Sequence, residues 1–136
     1  MKASFLDTNI FIRYLTNDDP VKADRVDKLL EQAAKGERQL VTTELVIAEI
    51  VWVLESFYNL NNTAIAPMIR AILATPGLEV INGALVEKAV GHYLEKNIDF
   101  IDGYIAAVME RKKITGIFSY DKKHLTRISA ITRREP

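Results

Sequence analysis

The alternation of short apolar runs with longer amphipathic segments constrains the fold more than any other feature of this sequence. Strand-like runs occur near residues 4–6, 39–42, 78–81 and 114–119, and segments with the apolar spacing of helices lie between them. Parallel strands need crossover connections of this length, which are usually helical. The pattern predicts an α/β fold in which helices cover both faces of a parallel sheet.

Local signals mark several element boundaries. Asp19-Pro20 is typical of an N-cap followed by the first residue of a helix, and Thr43 is a cap candidate for the helix over residues 44–58. That helix is apolar apart from Glu49, so we expect it to be buried. A short helical turn is expected at 121–125, and an edge strand at 128–132.

Length and composition limit the classes of protein to consider. We expect a single domain over residues 1–136, because a chain of this length can build its own core. The sequence has no cysteine, which excludes disulfides and thiolate chemistry and agrees with a cytoplasmic location. We expect no membrane segment, because no apolar run approaches about 18 residues. We expect no signal peptide, because Lys2-Ala3 leads directly into the first predicted strand.

Charge is balanced over the whole chain but unevenly distributed. Residues 111–136 contain eight basic and two acidic residues, a net charge of +6, whereas the whole chain has a net charge of zero. A basic segment of this kind attracts phosphate backbones or is simply a solvated surface. The candidate RNA-binding residues in it are Lys122, Lys123 and Arg127.

Two acids are expected where predicted strands end. Asp7 follows Phe5-Leu6, a run that reads as a short buried strand, and Asp121 follows the run that ends at Ser119. Ligands of open α/β sheets bind beside the carboxyl ends of the strands. A helical segment expected after each acid would favour an anion there.

Two further acids stand in helices. Glu49 interrupts an apolar helix, where a buried carboxylate is costly unless it has a partner, and Asp102 falls in the first turn of a helix whose expected N-cap is Asp99. We expect the chain to bring Asp7, Glu49, Asp102 and Asp121 together. Clustered carboxylates repel each other, and a hard cation such as Mg²⁺ or Mn²⁺ relieves that repulsion. Such a site is best suited to phosphodiester hydrolysis.

Each of these residues also has a purely structural interpretation. Asp7 can cap a helix, Glu49 can pair with a buried arginine, and Asp102 and Asp121 can be ordinary helix-start and turn residues. Hydrogen bonds to the local backbone can account for Thr8, Asn9 and Ser119. The two histidines, His92 and His124, show no metal-ligand spacing and are interpreted as structural or surface residues.

Four motifs in order resemble those of PIN-domain ribonucleases: Asp7-Thr8-Asn9, the lone Glu49 of 44–49, Asp99-Phe100-Ile101-Asp102-Gly103-Tyr104-Ile105-Ala106-Ala107, and Ser119-Tyr120-Asp121-Lys122-Lys123-His124-Leu125. The resemblance covers residues 7–125, and a free-standing domain of this length resembles the VapC toxins of toxin–antitoxin pairs. It implies a three-layer α/β/α, Rossmann-like fold and Mg²⁺- or Mn²⁺-dependent endonucleolytic cleavage of structured RNA such as tRNA or rRNA. It also implies a homodimer and a VapB-type antitoxin that blocks the site.

The resemblance also implies roles for individual residues. The catalytic acids would be Asp7, Glu49, Asp102 and Asp121. The metal ligands would be Asp7, Asp102 and Asp121, with Glu49 as a further candidate; Asp99 matches a position that is not acidic in all relatives, so its role stays open. The supporting residues would be Thr8, Asn9 and Ser119.

Other phosphate-handling folds fit less well. A haloacid-dehalogenase-type phosphatase needs a second aspartate two residues after the first, where this chain has Asn9. A response-regulator receiver needs a pair of acidic residues at the end of the first strand, and Asp7 has no acidic neighbour in the sequence. Two alternatives stay open: a stand-alone PIN nuclease in RNA maturation, and an inactive PIN-like RNA-binding or interaction module, whose mark would be a missing acid.

Overall fold

The computed structural model describes residues 2–136, which divide into two compact units, one ending at Gly83 and the other running from Ala84 to Pro136. In the first unit the strands are β1 (Ala3–Phe5), β2 (Gln39–Thr43) and β3 (Leu78–Ile81), and the helices are α1 (Thr8–Thr16), α2 (Pro20–Ala34), α3 (Glu44–Ser56) and α4 (Asn62–Leu73). The second unit contains α5 (Gly83–Glu95), α6 (Phe100–Lys112), β4 (Gly116–Phe118), a 3₁₀ turn (Leu125–Arg127) and β5 (Thr132–Arg134).

All the strand pairs of the two sheets are parallel. In the first unit the order is β1-β2-β3, with Phe5 opposite Val41 and Val41 opposite Glu79. In the second unit β4 pairs with β5, and Ile117 lies opposite Arg133. The α/β prediction with parallel strands is confirmed.

The predicted caps form as expected. Asp19 and Thr43 cap α2 and α3, accepting hydrogen bonds from the backbone N–H groups of Lys22 and Val46. Asp99 caps α6 through the N–H of Ile101. Because each side chain satisfies a donor that has no partner in the first helical turn, these residues set where the helices begin.

The core of the first unit lies between its sheet and helices, and its fully buried large side chains include Leu40, Ile47, Ile50, Leu54, Ile65 and Ile69. In the second unit α5 and α6 approach closely at Gly103, where an added Cβ would lie 2.8 Å from the carbonyl oxygen of Ala89. Only glycine permits that approach. Within residues 2–136, no helix has both the length and the apolar character needed to cross a membrane.

Three local predictions are wrong. The strand before Asp7 is not buried: residues 3–5 are exposed, Phe5 by 55%, because β1 pairs on one side only in the described sheet. The edge strand expected at 128–132 lies instead at Thr132–Arg134, because Ile128 packs with Ile98 and Ala106 in the core. The helical turn expected at 121–125 begins only at Leu125.

Candidate active site

Asp7 lies just beyond β1, on a segment that two hydrogen bonds hold in place. The N–H of Leu6 donates to the carbonyl of Val41 (2.8 Å), and the hydroxyl of the fully buried Thr42 donates to the carbonyl of Leu6 (3.0 Å). Asp7 then caps α1, its Oδ1 accepting from the N–H of Thr8 at 2.7 Å. The capping interpretation of Asp7 is therefore confirmed, and its side chain is exposed at the start of a helix.

Asp7 and Glu49 line the same pocket of the first unit. The pocket has a volume of about 330 Å³, and its other lining residues are Thr8, Asn9, Ile12, Arg13, Val53 and Tyr58. The hydroxyl of Thr8 is buried and has no hydrogen-bond partner within the part of the chain that the structure describes. Two carboxylates and an unpartnered hydroxyl offer the oxygen ligands that a hard divalent cation prefers.

Glu49 is exposed, so the expectation of a buried carboxylate is wrong. The buried residues of α3 form one stripe: Val46, Ile47, Ile50, Val51 and Leu54. Glu49 lies on the opposite side of the helix, between the exposed Leu45 and Trp52. The apolar composition of α3 therefore reflects a core face plus a second, exposed apolar face, and Glu49 needs no buried partner.

The cation of this pocket is already paired. Arg13 Nη1 lies 3.3 Å from Asp18 Oδ2, and the hydroxyl of Tyr58 donates to the same oxygen at 2.6 Å. The hydrogen bond from Tyr58, together with Arg13, lowers the pKa of Asp18. Within residues 2–136, the ion pair of Arg13 is with Asp18 and not with Asp7 or Glu49. The two carboxylates of the pocket therefore keep their negative charge unbalanced by Arg13.

A second group of ligands lies in the second unit. Asp102, Asp121 and His124 each offer one ligand atom, and these atoms all lie within 4.8 Å of one another. Asp102 is in the first turn of α6, as expected, and Asp121 is in the segment after β4. Three half-buried ligands at this spacing could hold one divalent cation.

Local hydrogen bonds fix Asp121. The N–H of Asp121 donates to Ser119 Oγ (3.0 Å), and Asp121 Oδ1 accepts from the N–H of Lys123 (2.8 Å). The bond from Lys123 lowers the pKa of Asp121. A turn of this kind, and not the helix start that was expected, therefore lowers the pKa of Asp121.

His124 is the residue that sequence reasoning missed. Its Nδ1 lies 3.0 Å from Asp102 Oδ2 and 3.2 Å from the backbone nitrogen of Asp99. Burial raises the pKa of Asp102 despite the hydrogen bond to His124, and the charges of Asp121 and Asp99 add to that rise. The available signal was the position of His124 three residues after Asp121, on the same turn.

The other candidates have simpler surroundings. Asp99 acts as the N-cap of α6 and is not part of the three-residue ligand group. Lys122 and Lys123 are exposed. Arg127 Nη1 donates to the carbonyl of Asn97 and, at 3.4 Å, to that of Lys96. Arg127 therefore anchors the segment after α5, whereas the two lysines extend into solvent.

A comparison with protein families assigns nearly the whole chain to one family. The model of the PIN domain family matches residues 4–131, nearly the whole chain. No curated protein matches the sequence. A PIN domain implies a nuclease, and PIN nucleases generally depend on a divalent metal ion, for which the group of Asp102, Asp121 and His124 offers suitable ligands. On the extent of this match, the chain belongs to the PIN domain family.

Proposed function

We propose that this protein is a Mg²⁺- or Mn²⁺-dependent endoribonuclease that hydrolyses structured RNA such as tRNA or rRNA. The observation that carries the proposal is the grouping of Asp102, Asp121 and His124 within 4.8 Å in a chain of the PIN family. The shared pocket of Asp7 and Glu49 supports it. No acid is missing from the four motif positions, which favours an active enzyme over an inactive binding module.

The roles of the residues follow from their surroundings. Asp102 and Asp121 would hold the cation, with His124 orienting Asp102. The resemblance to PIN nucleases alone implies Asp7 as a further ligand. A bound divalent cation neutralises charge on the phosphodiester and acidifies water. The exposed Glu49 is able to accept a proton from an attacking water molecule, and Asn9 offers an amide to a phosphate oxygen. Thr8 and Ser119 support the acids that adjoin them.

The test is cleavage of a tRNA and rRNA pool by the purified protein. We expect endonucleolytic products with Mg²⁺ or Mn²⁺, none with EDTA, and recovery when the metal is restored. A mock preparation carrying Asp121→Asn controls for contaminating ribonucleases, because contaminants would survive that substitution. Cleavage that persists in EDTA would contradict the metal-dependent mechanism.

We further propose that the enzyme is a homodimeric VapC-type toxin inhibited by a VapB-type antitoxin. The support is the exposed apolar face beside Glu49: Leu45 is 75% exposed, Trp52 58% and Phe57 71%. Trp52 and Phe57 contact each other edge to face, with ring centroids 6.1 Å apart. Exposed apolar side chains of this size are typical of surfaces that bind a protein partner.

The exposed apolar face is smaller than the apolar composition of α1 and α3 suggests. The exposed apolar residues of this region are Tyr14, Leu45, Trp52 and Phe57. Seven further apolar residues are buried or half-buried: Ile10, Phe11, Ile12, Leu15, Val46, Ile50 and Val53. The proposed partner surface is therefore restricted to the exposed residues.

The decisive experiment for this role is co-expression with the product of the adjacent small gene, followed by affinity purification and a nuclease assay. A stable complex without nuclease activity, from which removal of the partner restores cleavage, is the expected result. If the two proteins do not associate and cleavage is unaffected, the toxin proposal is wrong and a stand-alone nuclease is the remaining interpretation. Substituting Trp52→Ser should weaken the complex, whereas Val21→Ser, another exposed apolar position, should not.

A further inference from the structure

A basic cleft adjoins the acidic pocket of the first unit. We call it the α1–α2 cleft: it has a volume of about 300 Å³, and its lining residues are Asn9, Ile10, Arg13, Lys22, Arg25 and Val26. Asn9 and Arg13 also line the pocket of Asp7 and Glu49. The two spaces therefore meet at this pair of residues on α1.

The charge of the cleft comes from two cations on α2. Arg13 is held by Asp18, but Arg25 is exposed and makes no ion pair within residues 2–136. Lys22 Nζ lies 4.0 Å from Asp19 Oδ2, and its side chain is 57% exposed. No acid lines the cleft. Arg25 is thus available to an anion from outside, and Lys22, whose contact with Asp19 is at the 4.0 Å limit of an ion pair, can add to its charge.

The remaining wall is apolar. The apolar lining residues are Ile10 on α1, which is half-buried, and Val26 on α2, which is buried. Ligand pockets begin at about 300 Å³, so the cleft is sized for one small unit of a larger ligand. An apolar wall beside basic side chains suits a nucleotide. The base and ribose can pack against the apolar side chains, while the phosphate binds the basic ones.

We propose that the α1–α2 cleft binds the nucleotide adjacent to the phosphodiester that is cleaved, with Arg25 and Lys22 contacting its phosphate. The proposal rests on the ribonuclease function proposed above. A strand whose reactive phosphate lies near Asp7 has to continue over neighbouring surface, and the cleft is the neighbouring space that supplies positive charge. Asn9, which lines both spaces, would contact the strand between the two positions.

The experiment measures RNA affinity without cleavage. A fluorescein-labelled RNA hairpin is titrated in EDTA with the wild type and with the double variant Lys22→Gln/Arg25→Gln, following fluorescence anisotropy at several salt concentrations. The matched control is Lys28→Gln/Lys35→Gln, which removes the same charge from α2 and its C-cap at positions that do not line the cleft. Thermal melting of each variant checks the fold.

We expect the cleft variant to bind the hairpin about tenfold more weakly and to lower the salt slope by about 0.7 for each phosphate that it no longer binds, while the control stays near wild type. Cleavage assays with Mn²⁺ should show a raised KM with little change in kcat. Equal weakening in both double variants, or unchanged affinity in a folded cleft variant, would overturn the subsite.

Two further outcomes separate this inference from the proposed function. If the wild type cleaves RNA but the cleft variant keeps its affinity, the subsite is wrong and the nuclease stands. If the cleft variant loses affinity and the wild type cleaves nothing with any divalent metal, the cleft is an RNA site and the proposed nuclease activity is wrong.

A third outcome concerns a different ligand. If the variant loses binding to a fluorescein-labelled poly-glutamate peptide and keeps binding to RNA, the cleft binds an acidic protein segment and the proposal is overturned.

Discussion

At the scale of single residues, Asp7 has a structural and a proposed chemical role that substitution can separate. Its Oδ1 caps α1, and asparagine caps a helix about as well as aspartate. We therefore expect Asp7→Asn to abolish cleavage while the free energy of unfolding changes by no more than about 0.5 kcal/mol, or rises because a carboxylate is removed from the pocket of Glu49. Urea unfolding and a cleavage assay measure the two effects. Normal turnover in the variant would remove Asp7 from the mechanism.

Thr42 is a positioning residue that the sequence did not reveal. Its buried hydroxyl donates to the carbonyl of Leu6, directly before Asp7, so Thr42→Val should cost about 1–2 kcal/mol of stability. Because the segment that carries Asp7 loses an anchor, kcat should fall more than KM changes. Thr42→Ser keeps the hydroxyl and is the control. If the valine variant is as active and stable as the serine variant, the hydrogen bond is unimportant.

Individual residues also show where sequence reasoning stops. The motif positions of Asp7, Asp102 and Asp121, and the cap at Asp99, depend on local patterns and were predictable. The contact of His124 with Asp102 joins residues 22 positions apart, and that of Thr42 with Leu6 joins residues 36 positions apart. Such pairs depend on how the elements pack, which neither spacing nor composition encodes.

At the scale of elements, α5 and α6 pack through glycine. An added Cβ at Gly103 would lie 2.8 Å from a backbone oxygen, so Gly103→Ala should destabilise the protein by about 1–3 kcal/mol through overpacking. Gly91→Ala on α5 is the matched control, since a Cβ there meets nothing within 4 Å and alanine favours a helix by up to about 1 kcal/mol. Urea unfolding of both variants measures the difference. A neutral effect at Gly103 would contradict the close approach.

The same two helices are joined by an ion-pair group that should respond to acid. Lys88 and His92 on α5 lie 3.2 Å and 2.9 Å from the carboxylate of Glu110 on α6. Burial acts to raise the pKa of Glu110, but the hydrogen bonds from Lys88 and His92 outweigh it and lower the pKa. A lowered folded-state pKa gives stability that is present above the ordinary glutamate pKa and lost as the pH falls through the folded value.

We therefore expect Glu110→Gln to be less stable than the wild type between pH 5 and pH 7, by well under about 1 kcal/mol because the group is largely exposed. The difference should vanish as the pH falls through the lowered pKa of Glu110. Unfolding by urea across this pH range measures it. Glu95→Gln, an exposed carboxylate at the end of α5, is the control. A difference that grows towards low pH would reverse the assigned sign.

Element boundaries were largely predictable, but the orientation of apolar faces was not. The caps at Asp19 and Thr43 and the strand at Leu78–Ile81 follow from local sequence and are confirmed. In α3, hydropathy could not distinguish a buried face from an exposed apolar one, because both are built from the same residue types. The strand after Ile128 was misplaced for a related reason, since a β-branched residue fits a core cluster as well as a strand.

At the scale of the whole molecule, charge distribution makes a prediction about RNA affinity. The segment 111–136 carries a net charge of +6, and Lys122 and Lys123 are exposed within it. We propose that these lysines, with Arg127, contact phosphates. Lys122→Gln/Lys123→Gln should weaken binding of an RNA hairpin and lower the salt slope by up to about 1.4. Adding Arg127→Gln should also reduce stability, because Arg127 anchors the carbonyl of Asn97. An unchanged slope would assign the lysines to plain surface.

The central claim, that this PIN-family chain is a metal-dependent ribonuclease with Asp121 among its ligands, is tested most directly by one rate measurement. A 5′-labelled tRNA is incubated with the purified protein over a titration of Mn²⁺, beside Asp121→Asn. We predict cleavage at defined positions that saturates with Mn²⁺, is absent in EDTA, and falls to background in the variant at every Mn²⁺ concentration. Equal rates with and without metal, or full activity in Asp121→Asn, would contradict the claim.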